Sequence, residues 1–544
     1  MSEDRKAEWL PHLPVEVVED ARGPEFDAYL IALEGWRRGL TLKWHVKDSE
    51  KFKEMKTWFD DKPGKLFSLS SEKKTHYFFR TRGDKVSNEA VEIGANKERT
   101  KEALQRRNIN FPKGKVFSSE TSEGIILEYI EVINFPVVVK PLDGSFGRGV
   151  TTNIETIEEL RHAILYAKKF SDQFIIERFV KGDEYRLYVV NQKVVGAIKR
   201  IPANVVGDGF HTVKELIEIK NELRSSNPRL ISCLIKVDQQ INSYIQKQGF
   251  NLNDVLDKGQ QLYLTNKSNI SIGGDPISVF EQLNGCVHEV AVKAIQAIPG
   301  LIHGAVDLIF EDNELLKVED IHVLEINPTA QIGSLVFPIY GKAKDVPAAI
   351  IDFYFPETIG SNTDKDKLYF DLSDVLYPLI SNTAKVSTVS SMPIGRIHVK
   401  KFKVHGEVQR IDYHRGLRKA AFEYKLNGMV VKGENNSIEV IVAGTDKERV
   451  EQFEYEIRND PERSHVEYVY ESSYTHPVKV GFEIKNDIKT QLELYKQYKN
   501  EYDQAELKLR NLQKENKKIS TSTSWKLTYP IRLIGDLIKK YKRS

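Results

Sequence analysis

Cysteine is almost absent. The chain carries two, Cys233 and Cys286, in 544 residues, too few for a disulfide framework or a cysteine-based metal cluster. Both read as small buried hydrophobes. An excess of one charge is missing as well: 80 Lys and Arg stand against 78 Asp and Glu, a formal +2. Nothing about the whole chain therefore asks for an acidic polymer, and no nucleic-acid partner is expected. No window approaches the ~18 consecutive apolar residues that a spanning helix needs. The start, MSEDRKAEWLPHL, has no basic region with an apolar run behind it, so a cytoplasmic protein is expected. What is there is length, with 40% hydrophobic residues, enough for three or four cores of ordinary domain size.

Two distant stretches carry the chemistry. Residues 136–150, PVVVKPLDGSFGRGV, read as a short β-branched strand that ends on Lys140 and runs into a glycine-rich loop. Gly144, Gly147 and Gly149 can bring backbone N–H groups close to a phosphate, with Lys140 as a point charge beside them. Residues 304–328, GAVDLIFEDNELLKVEDIHVLEINP, read as two strands joined by a polar turn at Asp312-Asn313-Glu314. Glu325 and Asn327 are two apart, so a strand points both to one face. With Asp307 they make a hard, oxygen-rich set suited to Mg²⁺. Either stretch alone has a plain alternative, a turn or a solvated rim. Together they describe a nucleotide-phosphate site.

Between them lies FIIERFVKGDEYRLYVV, residues 174–190. A buried-looking strand delivers Glu177, continues through Phe179 and Val180, and turns at Gly182-Asp183 onto Glu184. This order resembles the adenine-and-ribose clip of the ATP-grasp superfamily. With NKERTKEAL upstream, carrying Lys97, five separated motifs over residues 89–357 fall in the order of that fold. The resemblance implies that Glu177 takes the adenine amino group, with Phe179 and Val180 in the same clip, and that Glu184 takes the ribose hydroxyls. It implies Lys97 and Lys140 on the phosphates of ATP, and Mg²⁺, with Mn²⁺ as an alternative, on Asp307, Glu325 and Asn327.

Downstream, the strand KVVGAIKR brings out Lys199 and Arg200 beside a second glycine-bearing turn, Gly207-Asp208-Gly209. The string RIPANVVGDG, and PIYGKAKDVPAAIIDFYFP at 338–356, resemble the ATP-grasp domains of cyanophycin synthetases and fused bacterial glutathione synthetases. In that subgroup a carboxylate is phosphorylated and an amine then attacks it. Arg200 is the candidate for steadying acyl-phosphate oxygens, because an always-charged planar fork suits a phosphoryl group in transfer. Arg186 competes with it for the role. Residues 214–300 read as mostly helical.

Upstream, residues 1–88 read as a small α/β module: FDAYLIALEGWRRGL at helical spacing, then strands LTLKWHV, KLFSLSS and THYFFRT. Arg80, Arg82 and Lys85 read there as a solvated charged face, with anion contact as the alternative. Residues 358–394, with TDKDK and SNTAKVSTVSSMP, read as a polar linker.

Residues 395–483 resemble an acylphosphatase domain in their strand-helix-strand-strand-helix-strand order, a ferredoxin-like fold. Its chemistry departs from that family. In the run VQRIDYH, His414 stands at the arginine position and Arg410 and Asp412 fill two glycine positions, while Lys432 stands where an asparagine orients water. Arg415 comes one residue late. A binding or docking role is the expectation. Beyond it, Ile488, Tyr495, Tyr502, Leu509 and Asn516 recur every seven residues, which predicts a coiled coil over 484–520 and a parallel homodimer. The tail 521–544, SWKLTYPIRLIGDLIKKYKRS with its hinge, puts Ile531, Ile534, Leu537 and Ile538 on one face and basic residues on the other. Such a helix suits the inner face of an anionic membrane. SWKLTYPIR also resembles the tails of bacterial enzymes of surface-polysaccharide assembly.

The fold class expected is thus α/β (α+β): an ATP-grasp fold at 89–357 with a pre-domain at 1–88, a linker at 358–394, an acylphosphatase-type domain at 395–483, a coiled coil and a basic tail. The activity the resemblance implies is ATP-dependent joining of a carboxylate to an amine, on small-molecule, peptide or sugar-acid substrates, in cell-surface polymer modification. Two other classes stay open at this point, a nucleotide-holding scaffold for a polymer and an acylphosphatase.

Overall fold

The computed structural model describes residues 6–57, 62–142, 149–313, 315–361, 363–433, 435–485 and Leu509. Gly144, Gly147, the tail 521–544 and all of the heptad segment from 486 on except Leu509 lie outside the described residues. Among the described residues no helix is long and apolar enough to cross a membrane. The chain divides into two units. The first holds residues 1–398 with short returns at 444–446 and 475–480; the second begins at 399.

The first unit is built around α1 (Gly23–Arg37), which is buried continuously from Phe26 to Arg37. A helix buried on every side belongs inside a core; this one is covered from several directions, and its buried Asp27, Glu34 and Arg37 are its charged exceptions. On one side lie the antiparallel strands β1 (Thr41–His45), β2 (Leu66–Ser70) and β3 (Thr75–Phe79). The stretch expected to be a linker supplies another side. Val386–Thr388 pairs antiparallel with β1, and Phe370 meets Tyr29 and Trp36 edge-on. Arg37 Nε donates to Leu368 O at 2.9 Å and Trp36 Nε1 to Ser390 O at 2.7 Å. The described residues of 358–394 are therefore folded, not a linker. The polar Ser/Thr positions mask a set of buried residues, Leu368, Phe370, Leu372, Leu376 and Leu379, the last three on the helix Leu372–Ile380. The N-terminal module is likewise not separate: the buried carboxylate of Asp27 accepts from the backbone N–H groups of Ile332 and Gly333.

Two helices follow, α2 (Asn88–Ala95) and α3 (Lys97–Gln105). Asn96 caps α3 by accepting from the N–H groups of Glu98 and Arg99. This fixes Lys97 as the first residue of its helix. Next come β4 (Gly114–Ser118), β5 (Val137–Pro141), β6 (Thr151–Ile154) and β7 (Gln173–Arg178), an antiparallel sheet in the order β4-β7-β5-β6. Its inward residues, among them Val137, Val139, Phe174 and Ile176, pack on helices Glu123–Ile133 and Ile157–Ala167.

A second antiparallel sheet is built from β8 (Asp183–Val190), β9 (Lys193–Ile201), β10 (Asp275–Ser278), β11 (His303–Phe310) and β12 (His322–Asn327), in the order β10-β9-β8-β11-β12. Strand β11 is buried along its whole length, which explains its unbroken apolar sequence around one acid, Asp307. Helix α4 (Gly285–Ala297) covers the apolar face through Val287, Val290, Ala291 and Ala294. The other face carries the polar residues of the site.

The second unit is built on the elements His398–Glu407, Ile411–Glu423, Asn427–Lys432, Ser437–Gly444, Lys447–Arg458 and His465–Ser472, whose end residues His398 and Gly444 fall to the first unit; this is the expected strand-helix-strand-strand-helix-strand order. A further edge strand, Phe482–Lys485, pairs parallel with Asn427–Lys432. Helices and sheet close on Phe402, Val404, Tyr413, Leu417, Val440 and Phe453.

Candidate active site

One cleft of about 1550 Å³ in the first unit is lined by Lys97, Lys140, Glu177, Phe179, Val180, Glu184, Arg186, Arg200, Asp307, Glu325 and Asn327. These eleven residues come from segments more than two hundred positions apart. The alternation of β5 turns Val137 and Val139 into the core and leaves Lys140 partly open. Lys140 Nζ lies 2.5 Å from Glu177 Oε2. Lys101, one turn after Lys97 on α3, bonds to Glu177 Oε1. Glu177 is only 2% exposed. Burial pushes its carboxyl up, and the two ammonium groups more than reverse that, leaving it below the usual carboxylate range. Burial also holds Lys101 below the ordinary ammonium value, Glu177 opposing and Lys140 adding to the effect. Lys97 Nζ donates to the carbonyl oxygens of Pro141 and Leu142 at 3.3 and 2.9 Å, reaching the end of β5. Lys97 and Lys140 line this wall, and Lys101 shares Glu177 with Lys140. Ammonium groups gathered in this way suit an anion.

Gly149 serves the strand end rather than the cleft lining. Its φ is +74°, and a Cβ there would lie 2.6 Å from Pro141 Cγ and 2.7 Å from Phe170 Cδ2. The hinge is also partly committed: Phe179 N–H donates to Pro136 O at 3.0 Å.

The second wall is the polar face of the five-stranded sheet. Register places Arg186 beside Asp307 and Asp307 beside Glu325 across β8, β11 and β12. Arg186 grips Asp307 with two parallel bonds, Nε to Oδ1 at 2.7 Å and Nη2 to Oδ2 at 2.8 Å. Arg200 Nη2 joins Glu184 Oε2 at 2.7 Å and Asp307 Oδ2 at 3.0 Å, and its Nε is buried with no partner. Burial alone would raise Asp307; the two guanidiniums carry it below the carboxylate range instead. Glu325 shifts the opposite way. Its carboxyl stays open to water in the cleft, yet the enclosing walls and the Asp307 charge raise its pKa, with Arg186 and Lys97 opposing. Asn327 lies on the same face two residues on, and its Nδ2 is buried without a partner. On this face two guanidiniums meet three carboxylates, Glu184, Asp307 and Glu325. One negative charge is left over.

The residues named from sequence for the nucleotide, the metal and the acyl-phosphate therefore line one cleft, apart from Gly149, which serves the strand end, and Gly144 and Gly147, which lie outside the described residues. The structure adds Lys101, which shares the helix face of Lys97 four residues on. That spacing was the available signal. Arg82 and Lys85 stay outside the cleft lining: Arg82 is buried and donates to Val86 O, Lys56 O and Asn88 Oδ1. In the second unit, His414 is buried with Nε2 2.9 Å from Val408 O, and Arg410 is closed onto Asp412 at 2.7 Å.

Residues 94–224 match the RimK-like ATP-grasp domain family and residues 400–484 match the acylphosphatase family. Cyanophycin synthetase of Crocosphaera subtropica is 35% identical over 274 residues, covering 49% of this chain and 31% of that protein. The glutathione biosynthesis bifunctional protein GshAB of Enterococcus faecalis is 32% identical over 276 residues, covering 49% of this chain and 36% of that one. Among solved structures, a bifunctional glutathione synthetase from Pasteurella multocida matches with a TM-score of 0.43 and 26% identity, over 55% of this chain and 41% of that chain. The chain thus spans about a third of the length of the curated relatives it matches. It carries a RimK-like ATP-grasp domain, followed by a domain of the acylphosphatase family.

Proposed function

We propose that the cleft binds ATP and that the chain joins a carboxylate to an amine through an acyl-phosphate. The observation that carries this reading is the meeting, in one cleft, of Lys97 and Lys140, the latter sharing Glu177 with Lys101, with a face that carries Asp307, Glu325 and Asn327. Phosphates need the first and a divalent cation needs the second.

The donor set fits Mg²⁺. Asp307 and Glu325 are cross-strand neighbours; burial first and then the Asp307 charge raise Glu325, and a cation held by the two acids would offset both. Asp307 also holds two arginines: Oδ2 takes a bond from each, while Oδ1 takes only Arg186 Nε and keeps a second lone pair. When bound, Mg²⁺ supplies charge neutralisation on the transferring phosphoryl group. The protein groups do the rest. Lys97 and Lys140 orient phosphate oxygens, and Glu177 keeps the neighbouring ammonium groups in place. Of the two arginines, Arg200 is the better candidate for the acyl-phosphate oxygens, because its Nε is unpaired while Arg186 is closed on Asp307. The names of the two curated relatives, a cyanophycin synthetase and a glutathione biosynthesis protein, support an amide-forming reaction.

The test is ADP release by the full chain with Mg²⁺ and ATP across amino acids, peptides and sugar acids. Release that requires a carboxylate and rises with an amine is expected. Nucleotide bound without turnover under every condition would favour the scaffold role instead.

A further inference from the structure

The cleft has a second cationic cluster that the ATP reading does not use. Arg80, from the turn after β3, Arg229, Gln331 and Ser334 all line it. Arg229 is 8% exposed, yet its guanidinium meets only neutral groups. Its Nη1 donates to Cys233 Sγ at 2.9 Å and Nη2 to Gln331 Oε1 at 2.8 Å, and Nε is buried without a partner. Among the described residues no carboxylate pairs with it. A buried cation with no counter-ion is costly, and proteins rarely keep one idle.

Arg80 is the companion. Its Nη2 reaches Asp27 Oδ2 only at 3.4 Å, longer than a charge-assisted bond, and its Nε is buried without a partner. Asp27 is itself committed, its Oδ1 accepting from Ile332 N at 2.8 Å and Gly333 N at 3.0 Å. The same short turn touches Arg229: a Cβ on Gly333 would lie 2.7 Å from Arg229 Cδ. Thr81 Oγ1 donates to Ala330 O at 2.9 Å, tying the Arg80 segment to it. Both guanidiniums therefore flank residues 330–334, which follow Asn327 closely in sequence. Two cations against the single carboxylate of Asp27 leave about one positive charge unbalanced.

We propose that Arg80 and Arg229, with Gln331, form an anion subsite that takes a free carboxylate of the substrate, one that is not itself activated. Amino acids, peptides with a free α-carboxylate and di-acids are the class this selects. A single surplus charge matches a carboxylate better than a phosphate dianion. The assignment to a substrate rests on the ligase reading; the binding does not.

Glutarate, with glutaramide as its neutral match and inorganic phosphate as the competing anion, tests this on the full chain by calorimetry at fixed ionic strength. Glutarate should bind at least tenfold more tightly than glutaramide and more tightly than phosphate. Arg229→Gln and Arg80→Gln should each lose that preference tenfold or more while keeping Mg²⁺-ATP affinity within twofold. If Arg229→Gln fails to fold, the more exposed Arg80→Gln decides the matter. Equal binding of acid and amide by the wild type, an undiminished preference in the folded variants, or tighter binding of phosphate would overturn the proposal. Lack of ADP release with every compound would remove the ligase reading and leave this binding result standing.

Discussion

Glu177→Gln is the most informative single change in the lysine-rich wall. The wild-type carboxylate is 2% exposed and accepts from Lys101 and Lys140. The amide leaves two ammonium groups side by side with no counter-charge. Removing one partner of a buried ion pair costs roughly 3–5 kcal/mol. Both lysine side chains keep some exposure, 16% and 14%, so the lower end applies, ~3 kcal/mol or about a hundredfold in the unfolding constant. Urea unfolding of the full chain measures it. Adding Lys101→Met should recover part of the loss, because it removes one of the two stranded ammonium groups and leaves Lys140 without a like charge beside it. The pH dependence has a definite sign. The Glu177 carboxyl lies below its ordinary 4.5 in the folded state, so its contribution is complete above that value and is lost as pH falls through the lower folded one. The gap between wild type and variant should be flat near neutrality and close in acid. A loss under about 1 kcal/mol, or a double variant no better than the single, would refute the idea that this triad holds the wall together.

Glu325→Gln should lower Mg²⁺-dependent ADP formation by orders of magnitude while leaving the unfolding midpoint unchanged or slightly raised, since it removes repulsion with Asp307; ADP assay and urea titration on one preparation check both halves. With benzoyl phosphate the full chain should show only background hydrolysis, because His414 is buried against Val408 O and Arg410 is tied to Asp412; turnover abolished by His414→Ala would contradict this. For the tail, which lies outside the described residues, we propose membrane contact made bivalent by a coiled-coil homodimer. The full chain should sediment with anionic vesicles and be released by high salt, deletion of 521–544 should abolish binding, and Leu509→Pro should weaken it. Equal binding by the truncated chain would argue for protein docking.

Much of the site was legible because strand periodicity does the arranging. Glu325 and Asn327, two apart on β12, share a face, and the register of β11 then sets Asp307 beside Glu325. Lys140 at the end of an apolar strand was readable for the same reason. Partnerships were not. That Glu177 is taken by Lys101, 76 positions away, is a tertiary fact with only the Lys97 spacing to hint at it. Arg229 reads in sequence like any surface arginine, because burial of a charge leaves no local pattern. Residues 358–394 misled through composition: Ser and Thr suggested a linker, whereas Leu372, Leu376 and Leu379 already carried the helical spacing of a buried face.

The central claim is that ATP activates a carboxylate in this cleft by phosphoryl transfer. The most direct measurement is to incubate the full chain with Mg²⁺, ATP, hydroxylamine and the carboxylate panel, and to assay hydroxamate, ADP and AMP together. The account predicts hydroxamate matched one-to-one by ADP for at least one carboxylate, and neither product from Glu325→Gln. Hydroxamate accompanied by AMP would show adenylate chemistry and contradict the account, as would ATP bound tightly and left intact with every acid.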